Sequence, residues 1–265
     1  MNTNERPLAL ITGASTGIGY ELARQFLIHD YVVLVVAENE EIHSAAERLS
    51  DLGGSVAAEQ IDLASRQGVE QLNAAVTALG RPLEAAAINA GVGVGGPFLA
   101  NDLDEEIRLI DLNVVSTVAL AKSVATGMVE RGRGRILFTS SVIARTPAPF
   151  QAVYGASKAF VQSFGQALRN ELKDSGVSVT TLLPGPTETE FFERADLMDT
   201  KVGAAEKDDP AQVAEQGFKA MIRGEGNVLG GSLKSRGMGL SGALMPDAAG
   251  AEYNRRLNEP GSAES

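Results

Sequence analysis

The sequence predicts a three-layer α/β/α fold on a doubly wound parallel sheet, as a single domain over residues 1–265. Short apolar runs typical of buried strands alternate with stretches of helical periodicity from residue 8 to residue 183. A glycine-rich turn joins the first strand to the first helix, and polar residues follow several later strands. Because such alternation makes successive strands parallel and covers both faces with helices, this topology is the consistent one.

The composition limits the class of partner. The 23 lysine and arginine residues against 34 aspartate and glutamate residues give a net charge of −11, which disfavours nucleic acid or an anionic membrane. The absence of cysteine excludes disulfides, thiolate catalysis and thiolate metal sites. The apolar run Tyr31 to Ala37 is too short to span a bilayer, and Met1 to Pro7 shows no signal-peptide core. We expect a cytoplasmic protein.

The first strand and helix surround the glycine-rich turn. Leu8 to Thr12 is an apolar run, the turn Gly13-Ala14-Ser15-Thr16-Gly17-Ile18-Gly19 follows it directly, and helical periodicity extends from Tyr20 to Leu27. Glycines allow a tight turn and let backbone N–H groups approach a pyrophosphate at the helix N-terminus. A plain surface loop is the weaker interpretation, because strand, turn and helix together are the context of a dinucleotide-phosphate loop.

The second strand, Tyr31 to Ala37, is followed directly by Glu38, at a position where a residue commonly contacts the adenosine ribose. A carboxylate there can accept a hydrogen bond from the ribose 2′-hydroxyl. It would repel a 2′-phosphate by roughly 3 kcal/mol per unit charge at ~5 Å and an effective dielectric of ~20. No lysine or arginine lies between Arg24 and Arg48 to offset this charge. The alternative is that Glu38 merely faces solvent at the end of the strand and binds nothing.

The alternation then continues. Asp62, followed by Leu63, is suited to the adenine edge but could equally cap the next helix. The fourth strand closes in Asn89-Ala90-Gly91, and the loop after it is rich in glycine, as expected where backbone lies against a ligand. The predicted elements of this part are the helix 42–52, the strand 56–61, the helix 67–79, the strand 83–88, the helix 104–130, the strand 135–139 and the helix 150–172.

Tyr154 and Lys158 are four residues apart on the last of these helices, so they share one face. An ammonium below a phenol favours the phenolate, which a free tyrosine with a pKa near ~10 does not form at neutral pH. Ser141, after the fifth strand, could hold a carbonyl or alcohol oxygen at the same point. A tyrosine and a lysine four residues apart usually lie on an ordinary helix surface. The surrounding motifs favour a proton-transfer site here.

After the sixth strand, 177–183, and Pro184-Gly185-Pro186, the pattern weakens. Residues 187–209 mix charges with Phe191 and Phe192, which predicts a mobile flap over a substrate. A helix over 210–223 and a short strand near 228–229 follow, and no clear element is predicted over 230–242. We expect the tail, 258–265, to be disordered.

In this order and spacing, the motifs resemble those of the classical short-chain dehydrogenase/reductase family, which has a Rossmann fold. The matching positions, between residues 8 and 190, are Thr12-Gly13-x-x-x-Gly17-x-Gly19, Asp62, Asn89-Ala90-Gly91, Asn113, Ser141, Tyr154-x-x-x-Lys158 and Pro184-Gly185 with Thr189. Each motif alone is weak, whereas the ordered set is highly specific.

The resemblance implies a role for each matched residue. Tyr154 would be the general acid in reduction and the general base in oxidation, and Lys158 would lower its pKa and bind the nicotinamide ribose. Ser141 would orient the reacting oxygen, and Asn113 would anchor a water linking Lys158 to solvent. The implied NAD(P)H site, without a metal, comprises Gly13, Ser15, Thr16, Gly17, Ile18, Gly19, Glu38, Asp62, Leu63, Asn89, Ala90, Gly91, Tyr154, Lys158, Pro184, Gly185, Thr187 and Thr189.

The chain departs from the family pattern at the end of the second strand. Members that prefer NADP usually place arginine where Glu38 stands, and members that prefer NAD usually place aspartate where Ala37 stands. Thr16 stands where NADP-preferring members often carry a basic residue. Charge therefore favours NAD(H) slightly over NADP(H). The family also implies a homodimer or homotetramer packed through the two long helices.

The leading hypothesis is an NAD(P)-dependent oxidoreductase for a ketone or secondary alcohol. A dinucleotide-binding sensor or scaffold without turnover and an epimerase or dehydratase of the same family are the alternatives. The expected pocket rim, residues 92–98, 142–150 and 186–198, is largely apolar and includes Phe98, Phe150, Phe191 and Phe192. It predicts a medium-sized hydrophobic carbonyl or alcohol rather than a small charged acid.

Overall fold

One seven-stranded parallel sheet organises the protein, which confirms the predicted fold class. The computed structural model describes residues 6–242 and 244–264. The strands lie in the order β3-β2-β1-β4-β5-β6-β7, and every neighbouring pair is parallel. Their bounds are β1 Leu8–Thr12, β2 Val32–Ala37, β3 Val56–Gln60, β4 Leu83–Ile88, β5 Gly134–Thr139, β6 Val177–Pro184 and β7 Asn227–Gly230.

Helices cover both faces of the sheet. Their bounds are α1 Gly17–Ile28, α2 Glu41–Ser50, α3 Arg66–Ala78, α4 Leu103–Ile110, α5 Thr117–Glu130, α6 Ala152–Glu171, α7 Phe191–Arg194, α8 Lys201–Ala204, α9 Pro210–Ile222, α10 Leu233–Gly242 and α11 Asp247–Asn258. A π-helical turn, Asp111–Ser116, joins α4 to α5, and 3₁₀ turns occupy Val142–Arg145 and Ser262–Glu264.

The side chains of β1 show how the two layers form. All five residues of the strand are buried, because successive side chains point to opposite faces and both faces carry helices. Leu8 and Leu10 pack in the core shared with α3, α5 and α6, whereas Ala9 and Ile11 pack in the core shared with α1, α2 and α9. This two-sided burial explains why the strands are continuous apolar runs.

The order of the strands creates a crevice between β1 and β4. The chain leaves β1 toward β2 on one side and returns to β4 on the other. At such a switch point the connections after the two strands diverge, and ligands of open α/β sheets bind at the carboxyl ends there. The fold therefore places the turn after Thr12 beside the segment after Ile88.

The predicted helix 104–130 is continuous but contains the π-helical turn. By length and composition alone, Leu103–Glu130 is the one stretch among the described residues that could cross a membrane. Half of its most apolar part is buried within the protein, and α5 packs against β4 and β5. Core helices of soluble proteins have the same character, so the stretch is weak evidence for a membrane span.

The C-terminal region is more regular than the sequence predicts. Residues 233–242 form α10 although they include three glycines. Glycine is required at position 239, because a Cβ atom there would lie 2.6 Å from a Leu229 methyl group and 3.1 Å from a Val142 methyl group. The expectation of a disordered tail over 258–265 was wrong for 258–264, whereas Ser265 lies outside the described residues. Asn258 ends α11 and is buried, and the Ser262 hydroxyl accepts a hydrogen bond from the Lys201 N–H at 3.0 Å.

Candidate active site

A cavity of about 340 Å³ opens at the carboxyl ends of the central strands. Every residue of the predicted cofactor site lines this cavity, from Gly13 in the first turn to Thr189 in the flap. Of the four predicted catalytic residues, Ser141, Tyr154 and Lys158 line it, whereas Asn113 lies behind the lining. The cavity therefore joins the glycine-rich turn at one end to the Tyr154 hydroxyl region at the other.

The glycine-rich turn has the backbone geometry that its sequence predicts. Gly13 and Gly17 have φ angles of 66° and 58°, in the left-handed region that favours glycine. A Cβ atom at Gly19 would lie 1.9 Å from the Gly13 carbonyl oxygen, so the turn and α1 can pack this closely only without a side chain. Thr16 precedes α1 without capping it through its side chain. The N-terminus of α1 thus faces the cavity, as an anion site requires.

Asn89 fastens the ends of three strands together. Its backbone N–H donates to the Thr12 hydroxyl at 3.0 Å, its side-chain N–H donates to the Thr12 carbonyl at 3.2 Å, and its side-chain oxygen accepts from the Thr139 hydroxyl at 2.9 Å. These bonds tie β1, β4 and β5 at the floor of the cavity. The Asn89 side chain is thereby engaged in holding the strand ends.

The three residues of the predicted proton-transfer site meet at the wall of the cavity. Tyr154 and Lys158 are 8% and 6% exposed and share one face of α6. The Lys158 ammonium lies 5.8 Å from the centre of the Tyr154 ring and donates to the Thr139 carbonyl at 3.1 Å. The Ser141 hydroxyl lies near the Tyr154 phenol and acts to lower its pKa. The spacing of Tyr154 and Lys158 in the sequence therefore gives the predicted cluster.

Burial shifts both ionisable groups of this cluster. It raises the pKa of the Tyr154 phenol above its usual value, and the hydrogen bond from Ser141 offsets this only in part. It lowers the pKa of the Lys158 ammonium to about 8, because the charged form loses its hydration. At neutral pH the structure therefore holds a protonated phenol beside a charged ammonium.

Asn113 lies in the π-helical turn and is 1% exposed. Its side-chain oxygen accepts from the Val92 N–H at 3.0 Å, and its amide N–H groups donate to the Val92 carbonyl at 2.9 Å and the Ser157 hydroxyl at 3.0 Å. A Cβ atom at Gly91 would lie 3.0 Å from the Asn113 oxygen and 3.1 Å from the Lys158 nitrogen. Asn113 therefore links the segment after β4 to α6 beside Lys158.

A cation that sequence reasoning missed lies at the adenosine end. Arg108, on α4, donates to Glu38 at 2.6 Å and to Asp62 at 3.0 Å. Partial burial raises the pKa of Asp62, but the hydrogen bonds from Arg108 and from the Ala64 N–H outweigh this effect and lower it overall. No sequence signal marks Arg108, because 70 and 46 residues separate it from its partners.

The alternative that Asp62 caps the next helix is wrong, since Ser65 caps α3.

The flap 187–209 folds over the cavity as two short helices, α7 and α8. The Phe191 ring lies 5.0 Å from the Tyr154 ring, and Thr189 lies against Gly17. Arg194 pairs with Glu190 and lies 3.8 Å from Glu41 at the start of α2. The flap therefore contacts both the glycine-rich turn and the Tyr154 end.

The C-terminal helices form a wall that the sequence analysis did not include. The lining residues from this region include Met238, Met245, Asn254 and Leu257. Asn254 donates to the Thr146 hydroxyl and the Pro147 carbonyl, both at 2.8 Å, which fixes α11 over the loop before α6. The predicted rim is only partly right. Phe191 and Phe192 line the cavity, whereas Phe98 is exposed and Phe150 lies under the Arg255 guanidinium.

Among residues 6–242 and 244–264, no group of three or more histidine, cysteine, aspartate or glutamate side chains could hold a metal ion. His29 lies near Gln25, whose carbonyl oxygen is 2.8 Å from a ring nitrogen of His29.

Comparison with known proteins assigns the family. The family model for short-chain dehydrogenases matches residues 7–199. An NADP-dependent 3-hydroxy acid dehydrogenase from Salmonella typhi is 32% identical over 67% of this chain and 71% of its own length. A Dehydrogenase/reductase SDR family member 7B from Rattus norvegicus is 28% identical over 84% of this chain and 72% of its own length.

Solved structures agree with this assignment. A short-chain dehydrogenase from Sphingobium yanoikuyae in complex with NADPH has a TM-score of 0.79 and 31% identity, over 90% of this chain and 93% of that chain. A bulky-bulky ketone specific alcohol dehydrogenase from Comamonas testosteroni has a TM-score of 0.75 and 26% identity, over 93% of this chain and 98% of that chain. The chain belongs to the short-chain dehydrogenase family and is an oxidoreductase that acts on CH–OH groups with a nicotinamide cofactor.

Proposed function

We propose that the protein transfers a hydride between NAD(P)(H) and a hydrophobic ketone or secondary alcohol, with Tyr154 as the acid and base. The observation that carries this proposal is the meeting of Ser141, Tyr154 and Lys158 in the cavity that also contains the glycine-rich turn. The left-handed glycines, the free N-terminus of α1 and the acidic residues after β2 and β3 fit a dinucleotide. When bound, the nicotinamide supplies or accepts the hydride.

The protein's own residues would position the substrate and move the proton. In reduction, the phenol of Tyr154 donates its proton to the carbonyl oxygen while Ser141 holds that oxygen. In oxidation, the phenolate takes the proton of the alcohol. The Lys158 ammonium favours the phenolate by its charge, which opposes the effect of burial on Tyr154. Positioning and proton transfer together account for the catalysis expected of this site.

Asn113 would be a positioning residue for this machinery. Both of its amide N–H groups and one lone pair of its oxygen are engaged by Val92 and Ser157. A water linking Lys158 to solvent would therefore bind the remaining lone pair of Asn113 or its backbone carbonyl. This role stays a prediction.

The substrate preference is tested by an assay of the purified protein with NADH and NADPH. We expect 2-heptanone and acetophenone to be reduced faster than pyruvate, because Val142, Ile143, Phe191 and Phe192 line the cavity. Faster turnover of pyruvate would contradict the substrate class. Cofactor binding without any net oxidation or reduction across the panel would instead favour the sensor, the epimerase or the dehydratase.

We also propose a preference for NAD(H), although the Salmonella relative is named NADP-dependent and the Sphingobium structure contains NADPH. Arg108 offsets part of the Glu38 charge, but Glu38, Asp62 and Arg108 together still carry one net negative charge. A 2′-phosphate would also compete with Glu38 for Arg108. The electrostatic preference is therefore smaller than Glu38 alone would give.

Replacement of Glu38 by arginine tests this preference. We expect the Glu38→Arg variant to raise the ratio of kcat/KM for NADPH to that for NADH at least ~10-fold, since two unit charges change near the 2′ position. Glu40→Arg, two residues further along and exposed, makes the same change in net charge and should leave the ratio within about twofold. A wild-type preference for NADPH, or equal effects of both variants, would refute the assigned role of Glu38.

The proposed homodimer or homotetramer is supported by apolar side chains on the long helices. Leu103, Ile107, Val115 and Phe160 are 66%, 47%, 55% and 38% exposed on α4, the π-helical turn and α6. Sedimentation equilibrium should give a dimer or tetramer, and Val115→Glu should shift it toward the monomer. A monomeric wild-type protein would contradict this assembly. The cytoplasmic location stays a prediction.

A further inference from the structure

Gln151 is a buried glutamine whose side-chain amide has no hydrogen-bond partner among the described residues. It is 4% exposed and lines the cavity at the Tyr154 end. Its backbone is engaged, since its N–H donates to the Ala148 carbonyl at 3.1 Å and its carbonyl accepts from the Gly155 N–H at 2.8 Å. Its side chain does not cap α6. The amide of this lining residue is therefore free to hydrogen-bond a group that binds in the cavity.

The local backbone holds Gln151 in this place. Phe150, just before it, has a φ angle of 62°, which is uncommon for a residue with a side chain and is found where the surrounding structure enforces it. Two contacts fix this turn. The Phe150 carbonyl accepts from the Gly96 N–H at 2.9 Å, and the Arg255 guanidinium lies 5.1 Å from the centre of the Phe150 ring.

The position of Gln151 relative to Tyr154 defines what it can contact. Gln151 is the N-cap residue of α6, and Tyr154 lies three positions further on in the first turn, so both side chains line the cavity at the start of this helix. A substrate whose reacting oxygen meets the Tyr154 phenol and the Ser141 hydroxyl would therefore bring atoms two or three bonds further along to the Gln151 amide.

The other amides of this wall are already engaged. The side-chain N–H groups of Asn254 donate to Thr146 and Pro147, and that of Asn258 donates to the Pro149 carbonyl at 3.2 Å. Among these side-chain amides of the described residues, that of Gln151 keeps all of its N–H donors available to a ligand.

The charged side chains that line the cavity indicate that the substrate group near Gln151 is neutral. Five charged residues line the cavity in the part of the chain that the structure describes. Glu38 and Asp62 lie at the adenosine end and Lys158 lies near Tyr154, while Glu190 and Arg194 pair with each other. Among the described lining residues, no further cation is present at the substrate end to bind a carboxylate. The surrounding Ile143, Phe192 and Leu257 are apolar.

We propose that Gln151 is a specificity-determining residue that hydrogen-bonds a second, neutral oxygen of the substrate, two or three bonds from the reacting carbon. The substrates are then apolar ketones or secondary alcohols that also carry an ester, ketone or hydroxyl oxygen. This inference rests on the proposed function and names its substrate class.

The test uses probe pairs of equal chain length with and without the second oxygen. Ethyl acetoacetate is paired with 2-heptanone, and ethyl benzoylacetate with hexanophenone. The quantity measured is the ratio of kcat/KM for the keto ester to that for the plain ketone. We expect Gln151→Leu to lower this ratio at least ~10-fold, about 1.4 kcal/mol, with the plain ketone reduced as fast as before or faster. Gln25→Leu, at another buried glutamine on α1 outside the cavity lining, should leave the ratio unchanged.

A second readout separates recognition from a structural role. If the Gln151 amide binds substrate only, Gln151→Leu should not lower the Tm of the cofactor-free protein. A ratio within twofold of the wild type, an equal loss for both probes, or a clear fall in Tm would each overturn the inference. Reduction of the plain ketone that depends on Tyr154 would still uphold the proposed function in those cases. Reduction of neither probe by the wild type would reject both.

Discussion

Replacement of Tyr154 by phenylalanine should lower kcat/KM for ketone reduction by roughly 10²- to 10⁴-fold, the usual contribution of a general acid. The change removes one hydroxyl and keeps the ring that packs 5.0 Å from Phe191. The NADH dissociation constant should change little, since the glycine-rich turn and Glu38 are untouched. The Tm should not fall, because no hydrogen bond of the Tyr154 hydroxyl to a described residue, apart from its interaction with Ser141, would be lost. Steady-state kinetics, fluorescence titration with NADH and thermal unfolding measure these three quantities.

Tyr31→Phe is the matched control for this variant. Tyr31 is a buried tyrosine on the opposite side of the sheet, in the core with α1, and it lies outside the cavity lining. Its replacement should leave kcat/KM within about twofold. Full activity of Tyr154→Phe would exclude Tyr154 as the acid and base, and equal losses in both variants would indicate a general effect of removing a buried phenol.

The sequence predicts the first part of the molecule well because its signals are local. β1 and β4 have the predicted bounds, Leu8–Thr12 and Leu83–Ile88, since buried parallel strands are continuous apolar runs. The glycine-rich turn and the Tyr154-Lys158 spacing are also local, so the structure brings these residues to one cavity as expected.

The missed features depend on contacts between distant parts of the chain. Arg108 reaches Glu38 across 70 residues, so a search of the neighbouring sequence for a compensating cation could not find it. Asn254 and Asn258 hold α11 through hydrogen bonds to the loop before α6, and such polar contacts leave no hydrophobic period in the sequence. The free amide of Gln151 likewise becomes visible only once its burial and its lack of partners are known.

Replacement of Lys158 by methionine should lower activity, and it should change the pH dependence of the free energy of unfolding. Without the ammonium, the phenolate of Tyr154 loses a neighbouring charge worth about one to three pKa units, so kcat/KM should fall roughly 10- to 10³-fold. Burial lowers the pKa of Lys158 to about 8 in the folded protein, against 10.5 in the unfolded chain. Between these two values the unfolded chain binds the proton that the folded protein has lost.

Stability must therefore rise with pH in that window for the protein that retains Lys158. The free energy of unfolding of the wild type, minus that of Lys158→Met, should increase by roughly 2 to 3 kcal/mol between pH 7 and pH 10, at ~1.36 kcal/mol per pKa unit. Urea unfolding of the cofactor-free proteins across this range measures the difference. Burial raises the pKa of Tyr154, so its phenol stays protonated in both folded proteins across this range and its titration cancels in the difference.

Lys122→Met, at an exposed lysine on α5, is the control for the loss of one positive charge. Its difference from the wild type should vary little with pH, since its ammonium faces water in both the folded and the unfolded state. A flat difference for Lys158→Met would mean that Lys158 keeps its proton above pH 8, held by the Thr139 carbonyl and the Tyr154 phenol more firmly than burial opposes it. The activity loss would then still require the ammonium, but its low pKa would be refuted.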